Sequence, residues 1–411
     1  MTFRDELVLD DLEQRLYDEL AAMTIIDAHE HYKPEKDHLK NTYDWAWLLR
    51  GYLLHDLVSA GLRADFEPFD NSLTPARKWD EVKPYWDAVR WGTYARGLRF
   101  TLKEWFGVED ITDDTFERVG EKLNEDNTPG VYERALAEKC SIERVIISNT
   151  EWHGYEIDLF RIIVGFPYVA TSEDVAYYEK LTGESIRTAA EFRKGIEKFI
   201  ADALEAGVVG FKASARPAGE CDDAGIDRLL AKISAGGNLS AGDRPAMDRF
   251  IHEESLGHIR GTDKVVAVHC GVWGDFRALD VMNIFQTLAR YRDVRFDLFH
   301  MGMPSVRQMA FVGKNLPNVS LNLCWSPLVS QHMMESALQE WLDLVPVNKV
   351  FGFGGDFIWN PEQTWGHLVM CRESLAKVFA ARIRRGMIDL DGAVEVLETW
   401  MYDNPKRYYR L

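Results

Sequence analysis

Apolar residues in this chain come in short runs that stop at a polar, chemistry-bearing side chain. Ile25-Ile26 leads into Asp27-Ala28-His29-Glu30-His31, and Val265-Val266-Ala267-Val268 leads into His269. Phe296 to Phe299 leads into His300, and Val350 to Gly355 leads into Asp356. These runs have strand composition and are bounded by Gly271, Gly302 and the Gly354-Gly355 pair. Between them lie segments with helical spacing of apolar residues, such as 279–291 and 333–344. Strand followed by helix, repeated, predicts a parallel sheet covered by helices.

The same reading along the whole chain predicts a helix over 8–22, a first strand over 23–31, and strands over 144–149, 160–166 and 208–213. A helix over 189–205, stopped by Gly207, precedes the fourth of these strands. The fifth and sixth strands end at His269 and His300, the seventh spans 319–324, and the eighth ends at Asp356. Helices after 362 and over 391–401 close the chain. Eight strands with intervening helices predict a (β/α)8 TIM barrel formed by residues 1–411. A helical, Trp-rich insertion over 33–110 interrupts it after strand one. That insertion interleaves Trp45, Trp47, Trp79, Trp86, Trp91 and Trp105 with Arg50, Lys78, Arg90 and Arg96. Its aromatic content predicts a packed lid or an oligomer contact, because exposed aromatic surface lowers solubility.

Functional residues of such barrels collect at the carboxyl ends of the strands. Residues i and i+2 of a strand point to the same face, so His29 and His31 form a paired imidazole donor set. With His269 and Asp356 they make four ligands for one divalent ion, Zn²⁺ or Mn²⁺. Such an ion keeps net positive charge and an open position, and water there has its pKa lowered toward about 7. Asp356 is then both ligand and proton acceptor, and His300 a donor to the developing oxyanion. These parts serve hydrolysis first, but isomerisation and decarboxylation can use them too.

Composition narrows the partners. The net charge of −18 argues against nucleic acid and anionic membranes as partners. No apolar stretch approaches the roughly 20 residues that a membrane helix needs. The five cysteines form no paired spacing, which suits reduced thiols in the cytoplasm. The opening residues, acidic and amphipathic, resemble neither a signal nor a transit peptide.

His-x-His on strand one, His on strands five and six, and Asp on strand eight resemble the amidohydrolase superfamily. That resemblance implies His29, His31, His269 and Asp356 as metal ligands with His300 beside them. It also makes Lys212 a candidate carboxylated bridge between two ions, or else a substrate contact. The run Phe299-His300-Met301-Gly302 is similar to the branch with decarboxylases and lactone or amide hydrolases. The insertion, the segment Ala213-Ser214-Ala215-Arg216-Pro217 and the ending Asp403-Asn404-Pro405-Lys406-Arg407 resemble uronate isomerase, a divergent family of the same superfamily. Two features differ from it: Phe357-Ile358-Trp359 follows Asp356 in place of Ser-Arg-Ser, and His300 fills a strand-six position that family typically leaves without histidine.

The expected enzyme is a hydrolase acting on a small carboxylate-bearing amide, ester or lactone. An aldose–ketose isomerase or a decarboxylase is the alternative. Arg216 and Arg277 are candidates to clamp a substrate carboxylate, and Trp273, Trp325 and Trp359 to wall the site. A homo-oligomer is expected.

Overall fold

The strand-forming runs pair in sequence order, β1 through β8, every neighbouring pair parallel. A computed structural model describes residues 7–155, 157–215, 221–272 and 274–411. The strands are β1 (Ile25–Glu30), β2 (Ile142–Asn149), β3 (Phe160–Gly165), β4 (Gly210–Ser214), β5 (Val265–His269), β6 (Arg295–Leu298), β7 (Val319–Asn322) and β8 (Val350–Phe351). The ring closes between the segment after β8 and β1 through Ala28 N–H to Phe353 O at 3.1 Å and Asp356 N–H to His29 O at 2.8 Å. This is the mixed α/β barrel that the alternation of runs predicts.

Two elements differ from expectation. β8 leaves its ladder at Phe351, because Gly352 N–H turns to Trp400 O (2.8 Å) and the glycine-rich run then follows β1. The segment over 279–291 splits into a 3-10 turn, Val281–Ile284, and a short helix, Phe285–Arg290. Asp280 caps the turn by accepting from Met282 N–H.

Inside the ring, Ala28, Ile146, Ile163, Val265, Ala267, Phe299 and Phe351 pack with Tyr409. The segment Asn404–Tyr409 plugs the floor: Tyr409 Oη donates to Asp297 Oδ2 (2.8 Å), and Tyr408 Oη contacts the carbonyls of Phe296 and Asn318. A larger apolar shell fills the space between strands and outer helices. A separate apolar cluster, including Trp45, Trp47, Trp79 and Trp86, runs from Tyr43 to Leu123. Within it, fully buried Lys78 donates to Asp44 Oδ2 (2.7 Å) and Pro68 O (2.6 Å). Among the described residues no helix is long and apolar enough to cross a membrane.

Candidate metal and substrate site

β1 is buried along its whole length, so its polar residues must find partners inside the protein. Asp27 Oδ1 accepts from His29 N–H and Gly355 N–H, each at 3.1 Å. Glu30 Oε2 accepts from Phe357 N–H, and Glu30 Oε1 from Thr364 Oγ1 at 3.1 Å. With Asp356 N–H bound to His29 O, all three amides of the 355–357 turn are held by β1. Asp356 sits there at φ 60°, a left-handed conformation that an L residue keeps only when its surroundings fix it. Gly355 is obligatory, since a Cβ there would fall on Glu30 Oε1.

The turn presents Asp356 Oδ1 to His29 Nε2 at 3.2 Å and to His31 Nε2 at 3.3 Å. These three side chains form one donor group able to hold a metal ion. Burial alone would raise the Asp356 carboxyl, yet hydrogen bonds from His29 and His31 hold it well below the usual carboxylate range. Burial, and next the charge of Lys212, push the His29 imidazole well below its ordinary value. Asp27 and Glu30 behave oppositely. Burial raises Asp27 to about 7 and holds Glu30 well above its ordinary value, and the neighbouring Asp27 charge pushes Glu30 the same way.

The second half of the site comes from β5 and β6. His269 Nε2 faces Val272 O (3.2 Å), and His300 Nδ1 faces Cys324 O (3.1 Å). A carbonyl oxygen only accepts, so both outer nitrogens carry their protons there. His269 Nδ1 and His300 Nε2 then meet as bare lone pairs 3.2 Å apart, with His300 Nε2 3.8 Å from Asp356 Oδ2. Burial lowers His269 to about 4 and His300 to about 3, so neither ring carries charge to relieve that contact. Imidazoles whose outer N–H is held by a carbonyl and whose inner nitrogen is bare suit metal ligation. His300, Cys324 and Asp356 make a second donor group around the same carboxylate. The residues present therefore fit a divalent ion.

Lys212, on β4, is half-buried, with its Nζ 2.9 Å from His29 Nε2 and over the Phe299 ring at 3.8 Å. Burial lowers it to about 8. His29 Nε2 faces both Lys212 Nζ and Asp356 Oδ1, and a metal would take that same nitrogen, so the Lys212 contact and a bound ion are alternatives.

A cavity of about 240 Å³ opens above these groups. His31, His269 and Asp356 line its base, Trp325 and Trp359 its walls, and Trp47, Arg50 and Tyr52 of the insertion its roof. Arg277 lies elsewhere: its guanidinium is exposed and paired with Asp275 at 2.8 and 2.9 Å. Arg216 and Trp273 lie outside the described residues. Sequence reasoning did not single out Asp27, Glu30 or Cys324 for the site and left the reach of Trp47 and Arg50 open. The cue for the first pair was two carboxylates inside the run that carries His-x-His.

No protein-family model matches the chain. Among solved structures it is similar to uronate isomerase from Thermotoga maritima, at TM-score 0.79 and 17% identity over 100% of both chains. It is also similar to a Lactobacillus casei protein classed with metal-dependent hydrolases, at TM-score 0.67 and 16% identity over 96% of this chain and 97% of that one. These likenesses show a shared fold, in agreement with the resemblances read from the sequence. Protein fluG of Emericella nidulans is 24% identical over 273 residues, 62% of this chain. The chain spans about a third of that relative's length, 31%.

Proposed function

We propose that this protein is a metal-dependent enzyme that hydrolyses a small carboxylate-bearing amide, ester or lactone. The observation that carries the reading is the gathering of four imidazoles at one ionised carboxylate: His29, His31 and His300 face Asp356, and His269 faces His300. A divalent metal held there, Zn²⁺ or Mn²⁺, supplies a Lewis acid that polarises a carbonyl and acidifies water.

The side chains supply the remainder. Asp356 is ionised and accepts a proton at a carboxylate oxygen from the attacking water. His300 has its Nδ1–H committed to Cys324 O, so Nε2 serves as an acceptor or ligand. The donor role expected of it from position alone would need a second ring proton, which burial disfavours. Asp27 and Glu30 hold the Asp356 turn in place, and Trp325 and Trp359 exclude water from the cavity walls.

A second reading, aldose–ketose isomerisation of a sugar acid, is favoured by the likeness to uronate isomerase along the whole of both chains. One set of experiments separates them. Metal content is measured in wild type and in the His29→Ala/His31→Ala double variant, and equal content in both refutes the site. The metal-loaded enzyme is then followed by NMR against uronates, lactones and aromatic carboxylates. Added water marks a hydrolase, a ketose signal without mass change marks an isomerase, and CO₂ release marks a decarboxylase.

A further inference from the structure

The cavity roof carries a cation that the chemistry at the base does not use. Arg50 follows the 3-10 turn Trp45–Leu49 and is fixed by aromatic rings, with Cζ 4.2 Å from the Phe69 centroid and 4.9 Å from Trp359. The guanidinium thus rests on two rings, and Trp47 packs against both of them at 4.1 and 5.3 Å. Lys33 adds a second positive charge 4.5 Å from the Trp359 ring. Among the described residues no carboxylate forms an ion pair with Arg50 or Lys33, although most arginines of this chain are paired. Glu67 is the acid whose charge acts on Arg50, and its Oε1 already accepts from Phe69 N–H.

A guanidinium stacked on rings keeps its N–H edge free for bidentate bonding. In a protein of net charge −18, a small anion also needs a local positive potential to enter. Arg50 is the cation among the residues lining the cavity, whose base holds the imidazoles and Asp356. We propose that Arg50 is the carboxylate-binding residue of this enzyme. It takes the acid end of the substrate at the roof of the cavity and leaves the reacting carbon toward Asp356. The assignment deepens the metal-enzyme reading, and rests on it for where the reacting carbon lies.

Calorimetry on metal-loaded protein tests it with matched pairs differing only in charge: acetate and acetamide, benzoate and benzamide, D-glucuronate and D-glucuronamide. Wild type is expected to prefer the acid in at least one pair. Arg50→Gln should weaken that acid by about 10- to 100-fold, the loss expected for a charge-assisted hydrogen bond, while leaving the amide nearly unchanged. Arg50→Lys should restore part of the preference. No acid preference in any wild-type pair, or a preference that survives in Arg50→Gln, overturns the assignment. Metal content of the same samples reports separately on the metal-enzyme reading. Acid preference lost in Arg50→Gln from a wild type that takes up no metal on loading leaves the carboxylate site standing and removes that reading.

Discussion

Replacing Gly355 by alanine tests how β1 and the turn after β8 build the site. The added Cβ would fall on Glu30 Oε1, with Glu30 Cδ at 2.6 Å and Asp27 Oδ2 at 3.2 Å. Glu30 cannot simply swing away, because it is fully buried and holds Phe357 N–H and Thr364 Oγ1. Relief therefore costs overpacking strain, about 1–3 kcal/mol, plus two buried hydrogen bonds at about 1 kcal/mol each. The sum is about 3–5 kcal/mol. With an unfolding entropy of roughly 2.1 cal/mol/K per residue over 411 residues, the melting temperature should fall by about 4–6 °C. The same displacement moves Asp356, so Co²⁺ affinity, read by titration of the apoprotein, should drop about 10- to 100-fold. A melting temperature within about 1 °C of wild type, with Co²⁺ affinity unchanged, would refute the reasoning.

Other outcomes follow from the same geometry. His300→Asn removes the Nε2 acceptor beside Asp356 and should keep the ion held by His29, His31 and Asp356, while turnover falls by about 10²–10⁴-fold, measured at fixed metal loading. Asp44→Ala strands the Lys78 ammonium in an apolar cluster and should cost about 3 kcal/mol in chemical denaturation, whereas Asp44→Asn should cost less. Asp297, raised to about 7 by burial, keeps its proton to higher pH when folded than when unfolded. The native state thus binds more protons between pH 4 and 7, and that contribution to stability is lost as pH rises through about 7. Asp297→Asn should flatten this dependence, gaining at most about 4 kcal/mol over wild type between pH 4 and 8, and parallel pH profiles would argue against it.

How much of this was legible in the chain depended on the range of the interaction involved. The positions of His29, His269 and His300, at or within two residues of a strand end, could be read because each is a local event, an apolar run meeting a polar residue. The helix Ala189–Glu205 was legible for the same reason, with Thr188 capping its start. The division of donors was not. Whether His269 meets His31 or His300 depends on the stagger of β5 against β6 and on turns such as the left-handed His300-Met301 pair. Asp27 and Glu30 read as ordinary polar residues until they are seen to hold amides more than 300 positions away. Arg50 differs from its neighbouring arginines only in what the fold places beneath it.

The plug formed by Tyr408 and Tyr409 also bears on how the molecule is made. A ribosome releases β1 to β8 long before the segment that seals the barrel floor. Until that segment arrives, Asp297 faces an open interior without the Tyr409 hydroxyl, 112 positions downstream. Nascent chains stalled ahead of Asn404 should thus carry all eight strands yet stay protease-sensitive, and resist digestion once Tyr409 has cleared the exit tunnel.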